Sequence, residues 1–235
     1  MRKLTFLLLL SAVAIGAAIR SGAAQDTPRE SWTAEFNVDK ADLTSSGRNP
    51  YFVLEPGYRL ILEGGKERLV VTVLDETKRV DGVDTRIVEE RETESGQLVE
   101  VSRNYYAISR RTNSVFYFGE DVDLYKNGKV SGHEGAWASG TNGAKFGLMM
   151  PGEQLLKGRY YQELAPGVAM DRAEIDSLTE TVRTPAGAFQ RVLKVAESTP
   201  LELIKENKYY VKDIGLVQDG SARLVKYGNA ATVGE

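Results

Sequence analysis

The feature that most constrains this chain is its punctuation. Runs of β-branched and aromatic residues over 58–62, 69–74, 85–90, 98–101, 105–108 and 115–118 are cut by Gly64-Gly65, Asp81-Gly82, Ser95-Gly96, Thr112-Asn113 and Asn127-Gly128. Such side chains suit a pleated, half-buried surface. Asn-Gly and Asp-Gly accept the positive φ angles that a two-residue type I′ hairpin needs. No amphipathic helix separates the runs and no strand–helix alternation appears, which argues against a doubly wound α/β fold. The pattern predicts an all-β fold: a single antiparallel meander forming a curved sheet, a half-barrel or an open barrel. Residues 168–184, 189–196, 208–211 and 223–227 are read as its later strands. No low-complexity linker breaks the chain, so 47–230 is read as one domain after a polar lead over 25–46.

Residues 138–158 differ. They hold Gly140, Gly143, Gly147, Pro151, Gly152 and Gly158 around Phe146, Leu148, Met149 and Met150. This reads as a long, ordered Gly-rich loop that crosses an end of the sheet, capping a core or walling a groove. Strand character resumes over 159–164. Phe146, Met149, Met150, Tyr160 and Tyr161 are therefore the candidate ligand-binding residues. The pairs Tyr105-Tyr106, Tyr160-Tyr161 and Tyr209-Tyr210 place adjacent rings on opposite faces, because strand side chains alternate. Either both faces are covered there, or one presents an aromatic surface.

The first 24 residues read as a signal peptide. Arg2 and Lys3 precede an apolar run over 4–19, and Gly22 and Ala24 suit a signal-peptidase site with Gln25 as the mature start. The run falls short of the roughly 20 residues that span a bilayer, and Arg20 interrupts it. Export follows, to the periplasm or the exterior, with no stable transmembrane insertion after cleavage. The formal net charge is −3 and removal of the leader makes it more negative. With acids and bases mixed along the chain, a nucleic-acid partner is not expected.

Catalytic templates are mostly missing. The chain has no Cys and one His, which excludes a disulfide framework, a thiolate nucleophile and a two-His zinc site. No Gly-x-Ser-x-Gly elbow, phosphate-binding loop or dinucleotide fingerprint occurs. Asp123, Asn127, Gly128, Ser131 and Glu134 fall at positions 1, 5, 6, 9 and 12 of a calcium loop. Position 3 is Tyr125, however, and the flanks are not helical, so a plain hairpin competes with a metal site at Asp123, Asn127 and Glu134. Acid–base hydrolysis would draw on Glu163 with Asp171 or Glu174.

Thr184-Pro185-Ala186-Gly187-Ala188-Phe189, then Val192, Lys194-Val195, Tyr209-Tyr210 and Ile214-Gly215-Leu216-Val217, form a recurrent order. It resembles the ending of uncharacterised exported bacterial β proteins, including those with a lipoprotein-carrier-like curved sheet. Asn49-Pro50-Tyr51-Phe52, the stretch 117–121 and Met150-Pro151 resemble a secreted group of the same kind. Ile214 departs from the Val or Gly expected before Gly215. The resemblance implies a twisted antiparallel half-barrel, sometimes grooved, and no known reaction. The expectation is a non-enzymatic envelope protein binding an apolar or amphipathic small ligand, or an envelope protein, on the curved sheet. No cofactor is expected beyond the calcium alternative. A carboxylate-dependent hydrolase and a calcium-stabilised structural protein are the alternatives.

Overall fold

The structure, a computed structural model, describes residues 31–203 and 205–234. The leader over 1–24 and the mature start at Gln25 lie outside them. Thirteen strands form one antiparallel path: β1 Tyr58–Gly64, β2 Glu67–Val80, β3 Val83–Glu94, β4 Gln97–Ser109, β5 Val115–Lys126, β6 Lys145–Met150, β7 Arg159–Tyr161, β8 Glu163–Leu164, β9 Arg172–Thr184, β10 Gly187–Ser198, β11 Lys205–Val211, β12 Gly215–Asp219 and β13 Ala222–Asn229. The order runs β7-β9-β10-β11-β12-β13-β1-β2-β3-β4-β5-β6-β8. Its two ends, β7 and β8, are separated in sequence by Gln162 alone. One short extended segment thus pairs with β9 through Arg159–Tyr161 and with β6 through Glu163 and Leu164. The sheet is nearly closed into a barrel.

The hairpins form where the dipeptides put them. Asp81 and Gly82 (φ 48° and 80°), Ser95 and Gly96 (52° and 79°), and Asn127 and Gly128 (53° and 73°) each place two residues at positive φ. That backbone twists with the strands it joins. The tightest pairs are Val80 with Val83, Glu94 with Gln97 and Lys126 with Lys129. Gly187 also has positive φ (152°), and its turn is tied by a 3.1 Å bond from the Ala186 N–H to Thr184 Oγ1.

The Gly-rich segment is not one long loop. Residues 145–150 are β6, with Gly147 opposite Tyr117 on β5 and Phe146 opposite Glu163 on β8. A Cβ at Gly147 would lie 2.3 Å from the Gln162 carbonyl oxygen. The glycine there permits close approach of backbone to backbone, a use of glycine that composition cannot distinguish from a flexible loop.

Around Tyr105 and Tyr106 both faces of the sheet are covered. Tyr105, Ala107, Phe116 and Phe118 form one apolar cluster with Val80, Val83 and Ile87, and Phe36, Val38, Leu43 and Phe146 pack on it. Phe146 stacks on Phe118 at 4.9 Å and meets Phe116 edge-on at 5.8 Å. Each large apolar side chain withdrawn from water contributes about 1.5–3 kcal/mol. The 31–46 stretch supplies this cover: Thr33 exchanges backbone bonds with Arg159 (3.1 Å) and Tyr161 (2.9 Å), and Leu43 pairs with Ser109. A second cluster joins Leu60, Leu62 and Leu69 to Val182, Val192, Val217 and Leu224. The small hairpin of Gly47–Asn49 and Phe52–Leu54 sets Phe52 edge-on to Tyr106 at 5.1 Å.

Candidate functional site

Residues directly opposite one another in an antiparallel pair share a face. Arg59 lies opposite Thr72, Thr72 opposite Glu89, and Glu89 opposite Arg103; one row below, Val70 faces Arg91. These residues, from four consecutive strands, stand on the face opposite Val73, Val88 and Asn104, which form the neighbouring row. Here the sheet shapes an open groove of about 540 Å³. That falls within the roughly 300–1,000 Å³ usual for small-molecule sites. Val70, Leu74 and Leu98 give it an apolar floor, and Arg59, Arg68 and Arg91 stand in its lining, with Glu89 as the one carboxylate there among the described residues.

The guanidinium groups are held differently. Arg59 Nε donates to Thr72 Oγ1 at 3.0 Å and Nη1 to the Gly234 carbonyl at 2.7 Å, both neutral acceptors. Arg68 reaches Glu63 at 3.1 Å. Glu89 is drawn chiefly to Arg103, at 3.3 Å, with Arg91 at 3.8 Å. Arg103 also reaches Asp123 at 3.4 Å. The groove therefore carries more positive than negative charge over an apolar floor.

The inner wall is polar too, but buried. Asn104 accepts a short bond from the Tyr117 hydroxyl, and the Tyr106 and Tyr117 rings lie 4.6 Å apart. Burial raises both hydroxyl pKa values, with Glu120 and Glu163 adding to the effect. Lys208, 5% exposed, pairs with Glu197, 7% exposed, at 2.9 Å, and Gln162 Nε2 donates to the other Glu197 oxygen at 3.0 Å. Burial alone would lower the Lys208 pKa. The charges of Glu197 and Asp219 outweigh it and hold the ammonium well above its ordinary range. The Tyr160 hydroxyl and Gln162 Oε1 have no hydrogen-bond partner among the described residues.

None of the five residues expected to touch a ligand lines the groove. Met149, Met150 and Tyr160 are buried, Phe146 is half-buried in the aromatic cluster, and Tyr161 meets Trp32 edge-on at 6.4 Å. Strand β6 carries Met149 and Met150 into packing and β7 does the same for Tyr160, while Phe146 and Tyr161 are half-buried against neighbouring rings. Asp123 sits in a pair with His133 (3.0 Å) as well as Arg103, while Asn127 forms the hairpin turn and Glu134 folds toward Gly132. Among the described residues, no group of three or more His, Asp or Glu side chains is arranged to hold a metal ion. Glu163 is buried and Asp171 half-buried. Burial pushes the Glu174 carboxyl up, but bonds from Arg159 (2.7 Å) and Lys157 (3.2 Å) outweigh it and hold the group below the usual range. A carboxyl so held is ionised at neutral pH and is a poor proton donor.

The groove residues escaped the sequence reading because each arginine sits in an ordinary-looking strand. A signal did exist. The Gly64-Gly65 turn sets the register of β1 on β2, which puts Arg59 beside Thr72 and Glu63 beside Arg68.

No family model matches the chain, and no curated protein matches it. Among solved structures, a crystal structure of a "putative lipoprotein" from Parabacteroides distasonis is similar at 14% identity, covering 74% of this chain and 95% of that one, with a TM-score of 0.33. A likeness this remote carries no argument about fold or function. Among the described residues no helix is long and apolar enough to cross a membrane.

Proposed function

We propose that this is an exported, non-enzymatic binding protein that takes an amphipathic small molecule in the groove of β1–β4. The observation that carries the reading is the groove itself: an open cavity of about 540 Å³ with Val70, Leu74 and Leu98 beneath charged side chains. Ligand sites are concave, largely apolar, and carry a few placed polar groups. The leader read over residues 1–24 supports export. The barrel gives the site a fixed frame, since the groove strands are paired on both sides.

Native mass spectrometry of the full chain purified from its own cells tests this. The expected result is a co-purifying amphiphile that is absent from the Leu98→Asp variant, which puts a charge on the apolar floor. A folded protein that carries no small molecule and takes up no added amphiphile would overturn the reading.

A further inference from the structure

The groove's charges say which amphiphile it takes. We infer that the occupant is a single-chain monocarboxylate, its head group held by Arg59 and its hydrocarbon chain laid over Val70, Leu74 and Leu98. This rests on the groove being the binding site and adds the class of ligand.

The argument is one of charge matching. Arg68 is compensated by Glu63, and Arg91 and Arg103 by Glu89 together with Asp123, which lies beside Arg103. Among the described residues, Arg59 alone of the lining guanidinium groups is fixed by neutral oxygens, from Thr72 and Gly234. A guanidinium carries five N–H donors, and those two bonds use two of them. The remaining donors form the planar fork that matches a carboxylate. The two existing bonds also fix the Arg59 side chain before a ligand arrives, so little rotamer freedom is lost on binding. Among the described residues one positive charge is left uncompensated, and it calls for one negative charge, which favours a monocarboxylate over a dianionic phosphate. Arg91, with 47% of its side chain exposed, stands at the wet side of the site, where it adds attraction without fixing geometry.

Calorimetric titration of the full chain with decanoate, decanol, decyl phosphate and decyltrimethylammonium, each below its micelle concentration, tests the inference. Decanoate is expected to bind at least about tenfold more tightly than decanol, as a charge-assisted hydrogen bond would give, with the ammonium weakest and added salt eroding the difference. Arg59→Gln should remove about tenfold of decanoate affinity and leave decanol unchanged. Arg91→Gln should cost decanoate only about two- to fivefold, in keeping with an exposed charge. Arg59 Nη–H resonances that move with decanoate and not with decanol would locate the head group independently of whether Arg59→Gln folds.

Equal binding of decanoate and decanol, with Arg59→Gln silent, overturns the carboxylate while the groove reading stands. Tighter binding of decyl phosphate than decanoate overturns the monocarboxylate in favour of a phosphate head. Failure of every chain to bind overturns the groove reading as well.

Discussion

The groove and the inner wall are two faces of the same sheet, and they treat charge in opposite ways. On the groove face Arg59, Arg68 and Arg91 line a groove open to water. On the inner wall Lys208 and Glu197 are buried and bound to each other, with Gln162 completing the set. Alternation along a strand sorts residues between these environments, so neighbours in sequence are distant in energetics. Charges in water cost little to change and remain available to a partner. Buried charges hold the fold only as a matched set.

The sharpest test of that contrast is Lys208→Ala. It strands the buried Glu197 carboxylate and is expected to cost about 3–5 kcal/mol, read from the urea midpoint at neutral pH. Arg68→Gln on the groove face should shift the same midpoint by no more than about 0.5 kcal/mol. Equal losses in the two variants would erase the distinction between the faces. Next in size is Gly147→Ala, where the added methyl group meets the Gln162 carbonyl; overpacking of this kind costs about 1–3 kcal/mol. A silent substitution would show that β6 can move away from the closing segment.

A smaller effect belongs to Asp176, an outward-facing carboxylate. Bonds from Lys157 and Lys194 (2.8 Å each) hold its pKa down to about 2, against an ordinary value near 3.8. A folded-state pKa below the unfolded one adds stability that is fully present above the unfolded value and fades as pH falls through the folded one. The contribution is therefore expected to disappear between about pH 4 and pH 2, to be trimmed by salt, and to be absent from Asp176→Asn when midpoints are compared across that window. Smallest is Tyr160→Phe. The hydroxyl it removes is buried and has no hydrogen-bond partner among the described residues, so stability should hold or rise by up to about 1 kcal/mol. A clear loss would mean that the hydroxyl makes an interaction in solution.

The antiparallel meander was legible because its turns are local. Asp81-Gly82 and Asn127-Gly128 carry their backbone preference in two residues, and the strands on either side follow. Strand β6 was misread because Gly147 signals flexibility and close packing with the same letter, and only the position of Gln162 decides between them. The groove was hidden for another reason. Arg59, Arg68 and Arg91 come together through hairpin register, and each alone looks like the solvated side of a strand. Lys208 and Glu197 were opaque for the converse reason: a charged residue in a strand reads as facing water until the barrel closes over it.

That closure has a kinetic consequence. Every hairpin from β1 to β5 joins neighbours in sequence, whereas β13 must find β1 across the length of the chain, and the 159–164 segment must be gripped from both sides at once. Distant pairings form late, because loop entropy is lost before their bonds are gained. The 159–164 segment acts as a seam, joined by three residue pairs on one side and two on the other. Amide exchange should therefore begin there, and the ring should open along that line before any of its long hairpins parts.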